Sequence, residues 1–124
     1  MGNPASFVTS ASTEDVNTFL RAQTFSSGIS VTGALALDTT DASGTPGAAT
    51  INKASGKVAI ASGASSVVVT NNLVTAASSV FVALQFVDAT ATQILSVVPG
   101  SGSFTIRVNA NATLATKVAF LVVN

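Results

Sequence analysis

The chain has 124 residues and a mass of 12.2 kDa, with five basic and five acidic side chains and no His, Cys, Trp or Tyr. That composition excludes catalysis by His or Cys and zinc sites built on those residues. Charged residues make up 8% of the chain, against about 25% in an average soluble domain. Five scattered cations cannot supply the counterion release that a nucleic-acid binder needs, so no nucleic-acid partner is expected.

A chain of this length predicts one domain, able to bury roughly two thirds of its unfolded surface without a disulfide or metal staple. Ala (21), Ser (16) and Thr (16) dominate, and apolar residues reach 48%. A soluble monomer keeps more charge on its surface. So little charge implies that much of this surface is covered in an obligate assembly. No run approaches the roughly 18–20 apolar residues of a membrane-spanning helix, so no membrane partner is expected. The opening Met1–Val8 has no charged segment followed by an apolar run, so no secretory signal is expected either.

Two regions differ in character. Residues 1–48 hold four of the five acids and three of the seven Phe. The first ten residues predict an extended arm. Ser12 then offers a helix cap, with Asp15 three residues on in a weak form of the capping box. Val16, Phe19 and Leu20 follow at i, i+3 and i+4, one face of a short helix that ends near Arg21. Acids at its start and Arg at its end suit the helix dipole. A helix of about two turns is unstable alone in water, so it must pack on something. Ile29, Val31, Leu35 and Leu37 alternate with small or polar residues and predict a strand interrupted at Gly33. The polar stretch Asp38–Gly47 reads as a loop or linker.

From residue 49 onward short β-type runs follow one another: Ala49–Asn52, Lys57–Ala61, Ser66–Thr70, Ser79–Val87, Gln93–Val98, Ser103–Asn109 and Lys117–Val123. Gly, Asn, Pro and Ser separate them. Strands at this spacing, rich in β-branched side chains, predict a mainly β fold. Specifically, they predict an antiparallel β-sandwich of jelly-roll or immunoglobulin type over residues 49–124. Phe104, Ile106 and Val108 alternate with Thr105 and Arg107, so that strand has one buried and one wet face. Two other runs are apolar on both faces: Val80–Val87, which contains Phe81, and Val118–Val123, which contains Leu121. Such strands must be covered twice, by residues 1–37 folding back, by a neighbouring subunit, or by both.

The carboxylates offer little chemistry. Asp38 and Asp41 lie in a Thr- and Ser-rich loop, where a solvated turn with side chains bonded to nearby backbone N–H groups explains them better than a calcium site or an acid–base pair. Asp88 is expected to pair with Arg107 or Lys117. Ser is abundant, but no G-x-S-x-G occurs and no His can activate a serine. Pro99–Gly102 reads as a hairpin turn rather than a phosphate loop, because no Lys-Ser/Thr follows. Asn71, Asn72, Asn109 and Asn111 suit turns better than sugar binding, since the Trp and Tyr platforms of carbohydrate sites are missing. No enzyme activity, cofactor or metal is expected.

Three segments carry a family resemblance. Residues 52–75 (NKASGKVAIASGASSVVVTNNLVT) and 98–113 (VPGSGSFTIRVNANAT) resemble segments of tailed-bacteriophage virion proteins. Residues 22–37 (AQTFSSGISVTGALAL) are similar to a phrase common in phage fibre and head-fibre chains. The resemblance implies a structural role as a homo-oligomer, a trimer in such chains. It also implies an N-terminal segment that attaches to the major capsid protein or another virion protein, and a projecting C-terminal β-domain. The short chain favours a capsid decoration protein or head fibre on the virion surface, made in the host cytoplasm. The alternative is a tail-associated fibre or adaptor, or a host-surface receptor-binding module. On this reading Phe7, Val8, Val16, Phe19, Leu20 and Phe25 are the apolar anchors, with Phe81 and Leu121 as oligomer contacts.

Overall fold

The computed structural model of the chain describes Ala22 and residues 24–124. The extended arm and the helix expected around Val16, Phe19 and Leu20 lie outside the described residues. The chain divides between Leu35 and Ala36.

In the first unit the described residues form neither helix nor strand. A turn at Phe25–Gly28 is closed by the Gly28 N–H donating to the Phe25 carbonyl. The strand expected over Ile29–Leu37 is not formed. Its alternation is present, but it has no partner strand among the described residues, and a strand without a ladder is not a stable local structure in water.

The second unit is mainly β. It contains β1 (Thr39–Asp41), β2 (Ala49–Thr50), β3 (Ser55–Ile60), β4 (Ser66–Thr70), β5 (Ser79–Leu84), β6 (Ile94–Gly100), β7 (Ser103–Val108) and β8 (Thr116–Val123). They form two four-stranded sheets, ordered β1-β3-β8-β5 and β2-β4-β7-β6. Every run expected from residue 49 onward contains a strand, with ends displaced by up to three residues.

The expectation of purely antiparallel pairing needs correction. The pairs β3/β8, β5/β8, β4/β7 and β6/β7 are antiparallel, but β1/β3 and β2/β4 are parallel. The reason is topological. From β1 to β4 the chain alternates between the two sheets, so consecutive strands never pair there. Each strand then lies beside the next but one, running the same way. The segment expected as a linker also contributes β1. Three polar residues suffice there because β1 is a sheet edge and pairs through its backbone alone.

Both sheets contribute to one core. Val58, Ile60, Val118, Phe120 and Val122 come from the first, and Val67, Val69, Phe104, Ile106 and Val108 from the second. On β7 the buried residues alternate with half-buried Thr105 and exposed Arg107, as the pattern predicts. The Phe104 and Phe120 rings meet edge to face, with centroids 5.0 Å apart, a geometry that aligns the positive edge of one ring with the negative face of the other. The Phe120 ring also lies across its register partner Gly56. A Cβ on Gly56 would sit 2.9 Å from two Phe120 ring carbons and 2.9 Å from the Thr40 carbonyl oxygen. The glycine therefore allows β1, β3 and the aromatic ring to meet.

Gly56→Ala is expected to destabilise the fold by about 1–3 kcal/mol, the usual cost of overpacking a filled core. Urea denaturation of the full chain measures it. A lower midpoint without a change in slope is the expected signature.

Candidate interaction surface

The described carboxylates are structural. Asp38 forms an ion pair with Lys53 at 3.1 Å. Asp41 Oδ1 accepts from the Ser43 hydroxyl at 2.6 Å and from the Ser43 N–H at 2.9 Å. These two bonds, the hydroxyl's first, hold its pKa below the ordinary value. Asp38 and Asp41 thus serve different partners and do not form a pair. Among the described residues no group of three or more His, Cys, Asp or Glu side chains comes together.

Asp88 corrects its expectation. Instead of pairing with Arg107 or Lys117, it is buried and surrounded by neutral donors. Its Oδ1 accepts from the N–H groups of Thr90 and Ala91, both at 2.9 Å. Its Oδ2 accepts from the N–H groups of Thr113 and Leu114, both at 3.0 Å, and from the Thr113 hydroxyl at 2.7 Å. The Thr90 hydroxyl donates to the Asn111 carbonyl at 2.5 Å and lies 3.1 Å from Oδ1. Backbone dipoles satisfy the charge without a counter-ion. The N–H groups of Ala91 and Thr90, and then those of the β7–β8 loop, hold the carboxyl well below the usual carboxylate range. One side chain therefore ties the β5–β6 loop to the β7–β8 loop.

The asparagines also hold turns together. Buried Asn71 donates from Nδ2 to the Lys53 carbonyl at 2.8 Å and accepts from the Leu73 N–H at 2.9 Å. Asn109 Oδ1 accepts from the N–H groups of Thr92 and Gln93, and its Nδ2 donates to the Thr90 carbonyl. The β6–β7 hairpin turns at Ser101–Gly102, with Gly102 at φ +77°, a conformation that glycine adopts without steric cost.

What stands open is a face. On β5 the side chains of Val80, Val82 and Leu84 pack on the core, so Ser79, Phe81 and Ala83 point away from it. On β8 the same alternation turns Lys117, Ala119, Leu121 and Val123 outward. The register places Phe81 opposite Leu121, Ala83 opposite Ala119 and Ser79 opposite Val123. Phe81 is 61% exposed. A shallow groove of about 260 Å³ runs along Phe81, Ala83, Ala119 and Leu121. The outward face of the second sheet is mixed: Ser103, Thr105 and Arg107 of β7 suit contact with water, while Val68 of β4 and Val98 of β6, the register partners of Thr105, are also exposed.

Phe81 and Leu121 are thus brought together, as cross-strand neighbours on one outward face. Phe25 is exposed in the other unit. Phe7, Val8, Val16, Phe19 and Leu20 lie outside the described residues. Sequence reading missed Ala83 and Ala119, which flatten the surface beside Phe81. Their only signal was membership of the two runs apolar on both faces. It also missed the Asp88 hub, signalled only by Thr at i+2.

Asp88→Asn removes the charge and turns an amide NH2 toward backbone donors, so it is expected to lower the urea midpoint at neutral pH. A depressed native pKa contributes stability above the unfolded value and loses it as pH falls. The gap between wild type and Asp88→Asn should therefore be widest near pH 7 and narrow below about pH 4. A gap that is constant from pH 7 to pH 2 would contradict the role given to the carboxylate. Comparison with known proteins found no matching family model, curated relative or solved structure.

Proposed function

We propose that this chain is a non-enzymatic structural protein that works as a homo-oligomer, a trimer, and decorates a phage capsid through its N-terminal region. The observation that carries the oligomer is the outward apolar face of β5 and β8, with Phe81 61% exposed. An aromatic ring beside Leu121, Ala83 and Ala119 gains stability only when another surface covers it. The near absence of charge supports the same reading, since contact by packing needs no charged groups to be desolvated. On this reading the two sheets make a β-sandwich that projects from the attachment site.

The virion setting rests on the resemblance of residues 22–37, 52–75 and 98–113 to tailed-phage virion chains. Phe7, Val8, Val16, Phe19, Leu20 and Phe25 are the anchors in this reading. Each buried Phe or Leu contributes roughly 1.5–3 kcal/mol before ordering costs. Three copies binding together raise the effective concentration of each arm, so modest single contacts give durable attachment.

Two measurements test this reading. Light scattering should give the mass of a stable trimer. Deletion of residues 1–25 should leave a folded trimer that no longer returns to particles stripped of the protein. Binding retained by the truncated chain would overturn the anchor assignment. A trimer seen only at the tail would replace capsid decoration with the adaptor or receptor-binding role.

A further inference from the structure

We infer that residues 31–35 of one copy add as a strand to the edge of β5 in a second copy, an edge that no strand among the described residues pairs with. The inference rests on the self-association proposed above, and does not depend on attachment to a capsid.

The first observation is the character of the four sheet edges among the described residues. Unpaired edges invite strand addition, and proteins blunt them with short strands, charge, proline or bulges. Three edges here are blunted. β1 has three residues and ends in Asp41. β2 has two residues. β6 carries Pro99 and a register shift between Ile94 and Ser96. The fourth edge, β5, has six residues, Ser-Val-Phe-Val-Ala-Leu, with no charge, no proline and no register shift. It is also the edge with the exposed Phe81.

The second observation is a segment with strand alternation and no partner. Ile29, Val31, Leu35 and Leu37 are 70%, 48%, 68% and 40% exposed. In the sequence position 33 falls in the same alternating row and is Gly, so the apolar row has one gap; unpaired, the backbone bends there, with Gly33 at φ +99°, and strand addition extends it. Phe81 fits that gap. With Gly33 opposite Phe81, Val31 and Leu35 fall opposite Ser79 and Ala83 in either strand direction, because register partners two residues away share a face. Large then meets small at each position. Phe120 over Gly56 is the same pairing already present inside the fold.

Chain length selects a second copy. A strand added beyond β5 lies four strand spacings from β1, about 19 Å at ~4.8 Å each. Leu35 precedes Thr39 by four residues and reaches about 14 Å fully extended. The segment therefore cannot lie along the β5 edge of its own chain, while a neighbouring copy's edge carries no such tether. Each copy then gives one strand and receives one, which closes when the copies form a ring.

The chain has no Cys, so single cysteines report contacts cleanly. Chains carrying Val31→Cys are refolded together with full-length chains carrying Ser79→Cys or Ala83→Cys, distinguished by size tags, and oxidised. Cross-strand Cα separations of about 4.5–5.5 Å suit a disulfide. A mixed disulfide is expected with one of the two partners, which also gives the strand direction. Phe81→Lys, at an exposed position, should keep the β-type circular dichroism and fall to monomer mass. An oligomer that forms no mixed disulfide with either partner, or that keeps its mass with Phe81→Lys, overturns strand exchange while self-association stands. A disulfide formed within one chain carrying both Val31→Cys and Ala83→Cys overturns it in favour of folding back. A wild-type protein that is monomeric at all concentrations overturns the oligomer reading and this inference together.

Discussion

The apolar character of both faces of β8 is the constraint on which the rest of this fold depends. Its inner residues, Val118, Phe120 and Val122, complete the core between β3 and β5. Its outer residues, Ala119 and Leu121, form half of an outward apolar surface. Here the same eight residues close one interface and leave another open.

The polar interactions serve that arrangement. β5 and β8 leave their sheet through loops that Asp88 ties together, by accepting from both. A buried carboxylate among backbone N–H groups keeps its charge without a cation, which suits a chain with so few cations to spare. Asn71 and Asn109 do the corresponding work where β3, β4, β6 and β7 turn. Side chains that look like candidate ligands in the sequence are occupied by the backbone in the fold.

Much of the β-region was legible because its signals are local. Ser66–Thr70 is both the expected and the observed strand. Phe104, Ile106 and Val108 fall inward as their spacing requires. The turn at Ser101–Gly102, within the expected Pro99–Gly102, follows from glycine chemistry. Pairing was less legible. The parallel β1/β3 and β2/β4 contacts arise from a chain that crosses between sheets, and nothing in Thr39–Asp41 or Ala49–Thr50 encodes that route. Residues 29–37 show the opposite failure, with strand alternation present and no ladder to join.

By itself the sequence determined the mainly β class, the positions of most strands, the exclusion of His and Cys chemistry, and the two runs with no polar face. Alternation and turn residues act over a few neighbours, so they can be read without knowing the fold. Only the tertiary structure decided that Phe81 stands beside Leu121, that Asp88 is met by the N–H groups of residues 90, 91, 113 and 114, and that β5 is the unblunted edge. Those are relations between residues far apart in the chain. They exist only once strand order and register are set, because a sheet's neighbours are chosen by packing and not by proximity in sequence.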